Sequence, residues 1–371
     1  MSALRILLPL TLLSAGAPAP GAGIQAGDRS LTPALVIQAA PPPPARPRSI
    51  DPAAIDLDAD ASELPRLKSL LVSSHGALVA EYYARGVRPT TLANIKSASK
   101  SIVSILVGIA IDRGQIAGLH EPIATYFPEL GRDADDRKTA ITIEDMLTMR
   151  TGLQSTSGPN YGAWVLSANW VRYALTRPMV APPGRIMQYS TGTSHLLSAI
   201  LTKATGASTW RFAQEALAAP LGFSLAQWPR DPQGIYFGGN EMLLTPRQMV
   251  AVGELYLHRG RADRRQIVPA EWVDASCTPR TRSNFDADRQ YGYGWWIQQF
   301  DGGEACFAWG YGGQYILVFR DLDLVVVATS STTVSEERRG HRRALFQLIE
   351  QRVLRAFGGA PAIGAGSRRQ G

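Results

Sequence analysis

An apolar run over residues 102–111 is too continuous for a helix with one face in water, and it halts at Asp112-Arg113-Gly114. It predicts a buried helix ending there. Ahead of it, strand-forming residues at 69–73 and 77–83 flank Ser74-His75-Gly76, which predicts a β-hairpin. From about 120 to 276 the spacing is mostly helical with loops. One helix opens at 141–147 with Thr142 as a cap and breaks at Arg150-Thr151-Gly152, and another runs over 194–204 to Gly206. Ser208 caps a helix over 209–217, and Pro246 opens one that reaches about His258. From Tyr291 the period becomes that of strands, at 291–298, 305–309, 315–319 and 324–330, and an amphipathic helix over 342–357 closes the pattern. Strands at both ends with helices between them predict one sheet built from 66–115 and 285–357, flanked by helices. A mainly helical lobe, 116–284, is inserted into it, and the default cleft lies at the junction.

The flanks read differently. Residues 1–23 carry one early cation (Arg5), an apolar stretch at 6–13 and a small-residue zone at 14–19, the pattern of a secretory signal too short to span a membrane. The expectation is an exported protein, periplasmic or secreted. Residues 24–65, with Pro41 to Pro44 and Pro47, show no period and read as an extended linker, and 358–371 reads as a loose tail. No later segment has the length and apolarity of a membrane span. The net charge of +7 comes from scattered arginines without a basic run interleaved with aromatics, so a nucleic-acid partner is not indicated.

The chemistry concentrates where lysine is scarce. Two of the five lysines, Lys96 and Lys100, fall at the start of the buried helix. Ser97 and Lys100 lie one turn apart on one face. A serine hydroxyl becomes a nucleophile when a base takes its proton, and a lysine is that base only when neutral. Burial and the positive helix end both push a lysine pKa down, and the same helix end offers N–H groups to an oxyanion. Ser97-x-x-Lys100 is thus an acyl-transfer candidate. Tyr189 ends a short extended segment, from which its phenol can reach a cleft; a neighbouring Lys⁺ lowering its pKa would make it a general base. Gly310, Gly312 and Gly313 enter a turn after residues 305–309, and glycines there let a substrate carbonyl approach the backbone N–H groups.

These three stretches together resemble the class C β-lactamase-like serine hydrolases, the superfamily that includes penicillin-binding D,D-peptidases and related esterases. The resemblance spans about 67–357. It extends to Leu147-Thr148-Met149-Arg150-Thr151-Gly152-Leu153, to Asp231-Pro232-Gln233-Gly234 through Gly238-Gly239, and to Leu244-Thr245-Pro246-Arg247-Gln248-Met249. Tyr291-Gly292-Tyr293-Gly294-Trp295-Trp296 and Gly310-Tyr311-Gly312-Gly313-Gln314 belong to it as well. The branch it looks most like contains the 6-aminohexanoate-dimer hydrolases. The resemblance implies an α/β lobe with an antiparallel sheet packed on a helical lobe. It also implies Ser97 as nucleophile, Lys100 as its partner and Tyr189 as second base, with no cofactor or metal.

Two departures bear on substrate. The family's Tyr-x-Asn is here Tyr189-Ser190-Thr191, and a threonine cannot both donate and accept across an amide as asparagine does. The third motif usually opens with a cation that holds a carboxylate; here that position is Trp309. Both changes favour small esters or linear amides over β-lactams and D,D-peptides, the alternative substrates, and leave open whether water or another acceptor takes the acyl group. A catalytically dead binding protein is the rival of a different class. A Ser-His-Asp hydrolase would need a Gly-x-Ser-x-Gly elbow, which is missing, and the histidines at 75, 120, 195, 258 and 341 lack metal-ligand spacing. Cys277 and Cys306 are the only cysteines; a disulfide suits an exported chain, and two buried thiols are the alternative. Nothing in the pattern speaks to assembly.

Overall fold

The computed structural model describes residues 57–358. The signal-like stretch, most of the linker and nearly all of the tail lie outside the described residues.

Eight strands form one sheet: β1 (Leu67–Ser74), β2 (Ala77–Tyr83), β3 (Thr281–Arg282), β4 (Arg289–Tyr291), β5 (Trp296–Phe300), β6 (Gly303–Gly310), β7 (Gln314–Phe319) and β8 (Leu324–Ser330). Their order is β2-β1-β8-β7-β6-β5-β4-β3, antiparallel throughout. The first strand therefore pairs with the last, with Leu71 opposite Val327, and the expected sheet of N- and C-terminal segments is present. Four helices position the site: α1 (Ser99–Asp112), α2 (Thr191–Thr205), α3 (Pro246–Leu257) and α4 (His341–Leu348). Strand alternation sends Leu71, Ala308, Ile316, Val325 and Val327 to the face covered by α1 and α3. Leu70, Phe307, Leu317, Val326 and Ala328 go to the opposite face, under α4. Every residue of α1 from Ser99 to Ala110 is buried, as its continuous apolar run requires. Each large aliphatic side chain there contributes about 1.5–3 kcal/mol of burial.

Several boundaries differ from the sequence expectation. Folded structure begins before residue 66, because a helix at Asp58–Ser62 buries Leu57 and Ala61, four residues apart, in the α4 side of the core. The expected strand 291–298 is two strands. Ser101 and Ser104 of α1 donate to the carbonyls of Gly294 and Tyr293 at 2.7 and 2.6 Å, which draws residues 292–295 out of the ladder. Helix α2 starts at Thr191 rather than 194, since the Ser190 hydroxyl caps it by accepting from the Thr193 N–H; it stops at left-handed Gly206 as expected. Helix α3, capped by Thr245 and Gln248 as a capping box, lies on β1, β7 and β8. It belongs to the sheet layer, not to the helical lobe at 116–284. Helix α4 passes into a π-helical turn at Ile349–Leu354, one element instead of a uniform helix over 342–357. Thr142 caps Ile143–Leu147 in a capping box with Asp145, and Ser208 caps Thr209–Ala213. Of the two alternatives for the cysteines the structure holds the disulfide, which ties Cys277 to Cys306 of β6.

Candidate active site

The nucleophile turn is built from the chain before α1. Ile95 donates its N–H to the Met242 carbonyl at 3.0 Å, and Asn94 Oδ1 accepts from the Lys96 N–H at 3.0 Å. Lys96 sits at φ 51°, in the left-handed region that a lysine adopts at a cost of about 1 kcal/mol. Its ammonium is held at 2.8 Å by Glu241, which also accepts from the Asn94 side-chain amide. Residues Lys96–Ala98 form a 3₁₀ turn that runs directly into α1, so Ser97 stands at the helix entrance, as its spacing from Lys100 predicts.

Lys100 is 3 % exposed. Its Nζ lies 3.1 Å from Ser97 Oγ, 2.7 Å from the Gly239 carbonyl oxygen and 3.4 Å from Thr191 Oγ1. Burial pushes its pKa down to about 7. Half of the lysines are then neutral near pH 7, which is what the nucleophile's base needs.

Tyr189 lies beside the same amine, its ring centroid 5.0 Å from Lys100 Nζ. The expected phenolate base is opposed by its surroundings. Burial pushes the phenol well above its ordinary range, and the hydrogen bond with Ser97 opposes this only in part. Burial thus favours the O–H form of Tyr189. Its ring is stacked at 5.7 Å on Trp296 and meets Phe285 edge-on at 5.5 Å. Ser155 donates to the Tyr189 carbonyl at 2.7 Å, and Ser157 Oγ accepts from the Thr191 N–H at 2.9 Å. The 155–164 and 284–289 loops thus both reach the segment Tyr189-Ser190-Thr191.

The third stretch closes the other wall. The ends of β6 and β7 lie against the 3₁₀ turn that carries Ser97. A Cβ on Gly310 would run into the Ile95 carbonyl oxygen, so only glycine lets this strand approach the nucleophile turn so closely. Gly312 and Gly313 take φ of 90° and 112° in the turn between the strands. Trp309 shares the Tyr189 side of the sheet, and Trp296 joins the two, 5.5 Å from Trp309. Its surroundings are not purely apolar. The Arg289 guanidinium stacks 4.6 Å from its ring and that of Arg342 5.8 Å away. Cationic charge therefore returns to this corner from β4 and α4, a fact that no local motif announces.

Other residues around Ser97 that sequence reasoning missed come from one segment. Gly239, Glu241 and Met242 reach Lys100, Lys96 and Ile95 respectively, and the Gly238-Gly239 pair that joins the resemblance was the available signal.

The chain is 26% identical over 321 residues to 6-aminohexanoate-dimer hydrolase of Paenarthrobacter ureafaciens, covering 77% of this chain and 80% of that protein. It is 28% identical over 213 residues to esterase EstB of Burkholderia gladioli, covering 47% of this chain and 53% of the esterase. The class C beta-lactamase of Rhodobacter sphaeroides shares the fold, with a TM-score of 0.60 at 18% identity over 78% of this chain and 95% of that one. The Beta-lactamase family model matches residues 68–350, a span that holds the sheet, Ser97, Lys100 and Tyr189, and the chain belongs to that family as a serine hydrolase.

Proposed function

We propose that this hydrolase cleaves small esters or linear amides through an acyl-enzyme on Ser97. The observation that carries the reading is the buried Lys100 amine, 3.1 Å from Ser97 Oγ and with a pKa near 7. A neutral amine has two N–H bonds and one lone pair. The Gly239 carbonyl and Thr191 Oγ1 take the two N–H bonds, which leaves the lone pair for the Ser97 proton. Ser97 Oγ then bonds to the acyl carbon while its proton passes to Lys100. As the tetrahedral adduct collapses, Tyr189 gives its proton to the departing alcohol or amine and is refilled from Lys100. Water cleaves the ester along the reverse proton path, restoring Ser97. The Ser97 N–H and an N–H near Gly312 are the proposed oxyanion donors. The names of the two relatives, an amide hydrolase and an esterase, support this substrate class.

A second reading is favoured by one observation. Arg289 and Arg342 at Trp309 could hold an anionic group, so β-lactams or D-amino-acid peptides are the alternative acyl donors. A screen of short p-nitrophenyl esters, linear amide dimers and nitrocefin decides between them: nitrocefin turned over faster than every ester and amide would overturn the first reading. A fluorophosphonate probe should label Ser97, and the absence of labelling would leave only a binding role. Export remains the reading of residues 1–23, in keeping with a disulfide that suits an oxidising compartment. N-terminal sequencing of the protein from cell fractions tests it.

A further inference from the structure

Helix α2 carries a second ionisable group one turn beyond Thr191. His195 and its partner Asp231 both have side chains that are 0 % exposed, with His195 Nε2 3.0 Å from Asp231 Oδ2. The rings of Trp164, Trp170 and Phe237 wall the imidazole in at 5.8, 5.4 and 6.0 Å. Burying such a pair costs desolvation that an apolar pair of the same size would avoid. Its hydrogen bonds show where the pair is used. Asp231 Oδ1 accepts from the N–H groups of Gln233 and Ile235 at 2.9 and 2.8 Å, so the carboxylate has donors on both oxygens. His195 Nδ1 accepts from the Gly238 N–H at 3.4 Å. An accepting Nδ1 places the imidazole proton on Nε2, where it donates to Asp231. One residue further along is the Gly239 carbonyl, the acceptor 2.7 Å from Lys100 Nζ. A Cβ on Gly238 would strike the Ser194 carbonyl and the His195 Cα, so the segment is pressed flat on α2 and its direction is set there.

We infer that Asp231 and His195 form a positioning dyad that fixes the Gly238-Gly239 backbone and so aims the Lys100 lone pair at Ser97. The inference rests on the proposed role of Lys100 as base. Neither residue touches substrate. Asp231 fixes the imidazole tautomer, the imidazole fixes the Gly238 N–H, and the carbonyl of the following residue, Gly239, fixes the amine. Among the described residues, Tyr189 is the titratable group that faces the Lys100 amine directly, and burial favours its O–H form.

Asp231→Asn tests the dyad without changing its size. An amide must turn its NH₂ either toward His195 Nε2, which moves the imidazole proton to Nδ1 against the Gly238 N–H, or toward the N–H groups of Gln233 and Ile235. Either way one bond of the chain is lost. The rate of Ser97 labelling by a fluorophosphonate should fall at least about 10-fold at pH 8, and kcat on a p-nitrophenyl ester should fall with KM within about twofold. The midpoint of the labelling rate against pH should move down by about half a unit, because the ammonium form loses an aligned carbonyl acceptor. His195→Asn, which keeps an acceptor near the Nδ1 position, should restore labelling to within about threefold of the wild type. An unchanged rate and midpoint in folded Asp231→Asn, with only a lower melting temperature, would overturn the dyad and leave a brace of the fold. If Asp231→Asn does not fold, His195→Phe fills the aromatic box and removes the acceptor, with the same expectations. If wild-type Ser97 takes no label, the nucleophile reading fails separately. The dyad is then read from the Lys100 titration by NMR of protein carrying ¹³C-lysine, where only five lysines compete.

Discussion

The burial that suits Lys100 to its proposed role as base also weakens the fold. The lysine titrates near 10.5 in the unfolded chain and near 7 in the folded one. Between those values the unfolded state binds more protons, so this group makes stability rise with pH from about 7 to about 10.5, and below 7 its full penalty is present. Lys100→Met should abolish Ser97 labelling yet stabilise the protein at pH 7 by roughly 2–4 kcal/mol, a gain that shrinks toward pH 10. Urea unfolding at the two pH values checks both parts. In the wild type, kcat/KM should rise through a midpoint near 7 as Lys100 loses its proton, and a flat profile from pH 5 to 9 would remove Lys100 as the base. Gly310→Ala places a methyl on the Ile95 carbonyl, and the shift of the nucleophile turn should slow ester hydrolysis about 100-fold while leaving most of the fold. The closeness of Ser97 and Lys100 was legible in the sequence because they lie three residues apart at one helix entrance. The state of Tyr189 was not, since its pKa is set by burial that many distant residues create together. Arg289 and Arg342 reach Trp309 from two other elements, and His195 meets Asp231 across 36 positions, so neither contact leaves a local pattern.

Elements announce themselves when their stop signals are chemical. Thr142, Ser208, Thr245 and Gly206 each act where their side chains, or the lack of one, satisfy helix ends, and those boundaries were readable. The 291–298 break was not, because its cause is a pair of serines in α1, nearly 200 residues earlier. The π turns after Ala213 and Leu348 likewise leave no mark in a pattern whose period barely changes. Ser190 holds the most consequential cap. Its hydroxyl accepts from Thr193 N–H and Thr156 N–H, and it sits between Tyr189 and Thr191. Ser190→Ala should cost about 1 kcal/mol of stability, read by urea unfolding, and lower kcat more than it raises KM. An equal loss in a remote cap such as Ser208→Ala should leave kcat unchanged, which separates the local effect from general weakening.

For the whole molecule the disulfide and the strand order matter most. The Cys277–Cys306 bond closes a loop with a sequence separation of 29, and on loop entropy alone it contributes about 3–4 kcal/mol. Replacing both cysteines by serine should lower the urea midpoint accordingly without changing Ser97 labelling at low temperature, since neither sulfur reaches the site. That the sheet would join both chain ends was visible in the order of strands and helices; which helices cover it was not, as α3 shows. The pairing of β1 with β8 also has a consequence in time. During synthesis β1 and the Ser97 turn emerge first, while β8 comes more than 240 residues after Ser74. Until Leu324–Ser330 is made, β1 has no partner on its inner edge, and β6 and β7 cannot close over the nucleophile. A nascent or truncated chain therefore carries Ser97 and Lys100 without the sheet that walls the proposed site, and it should become reactive only once its last strand is in place.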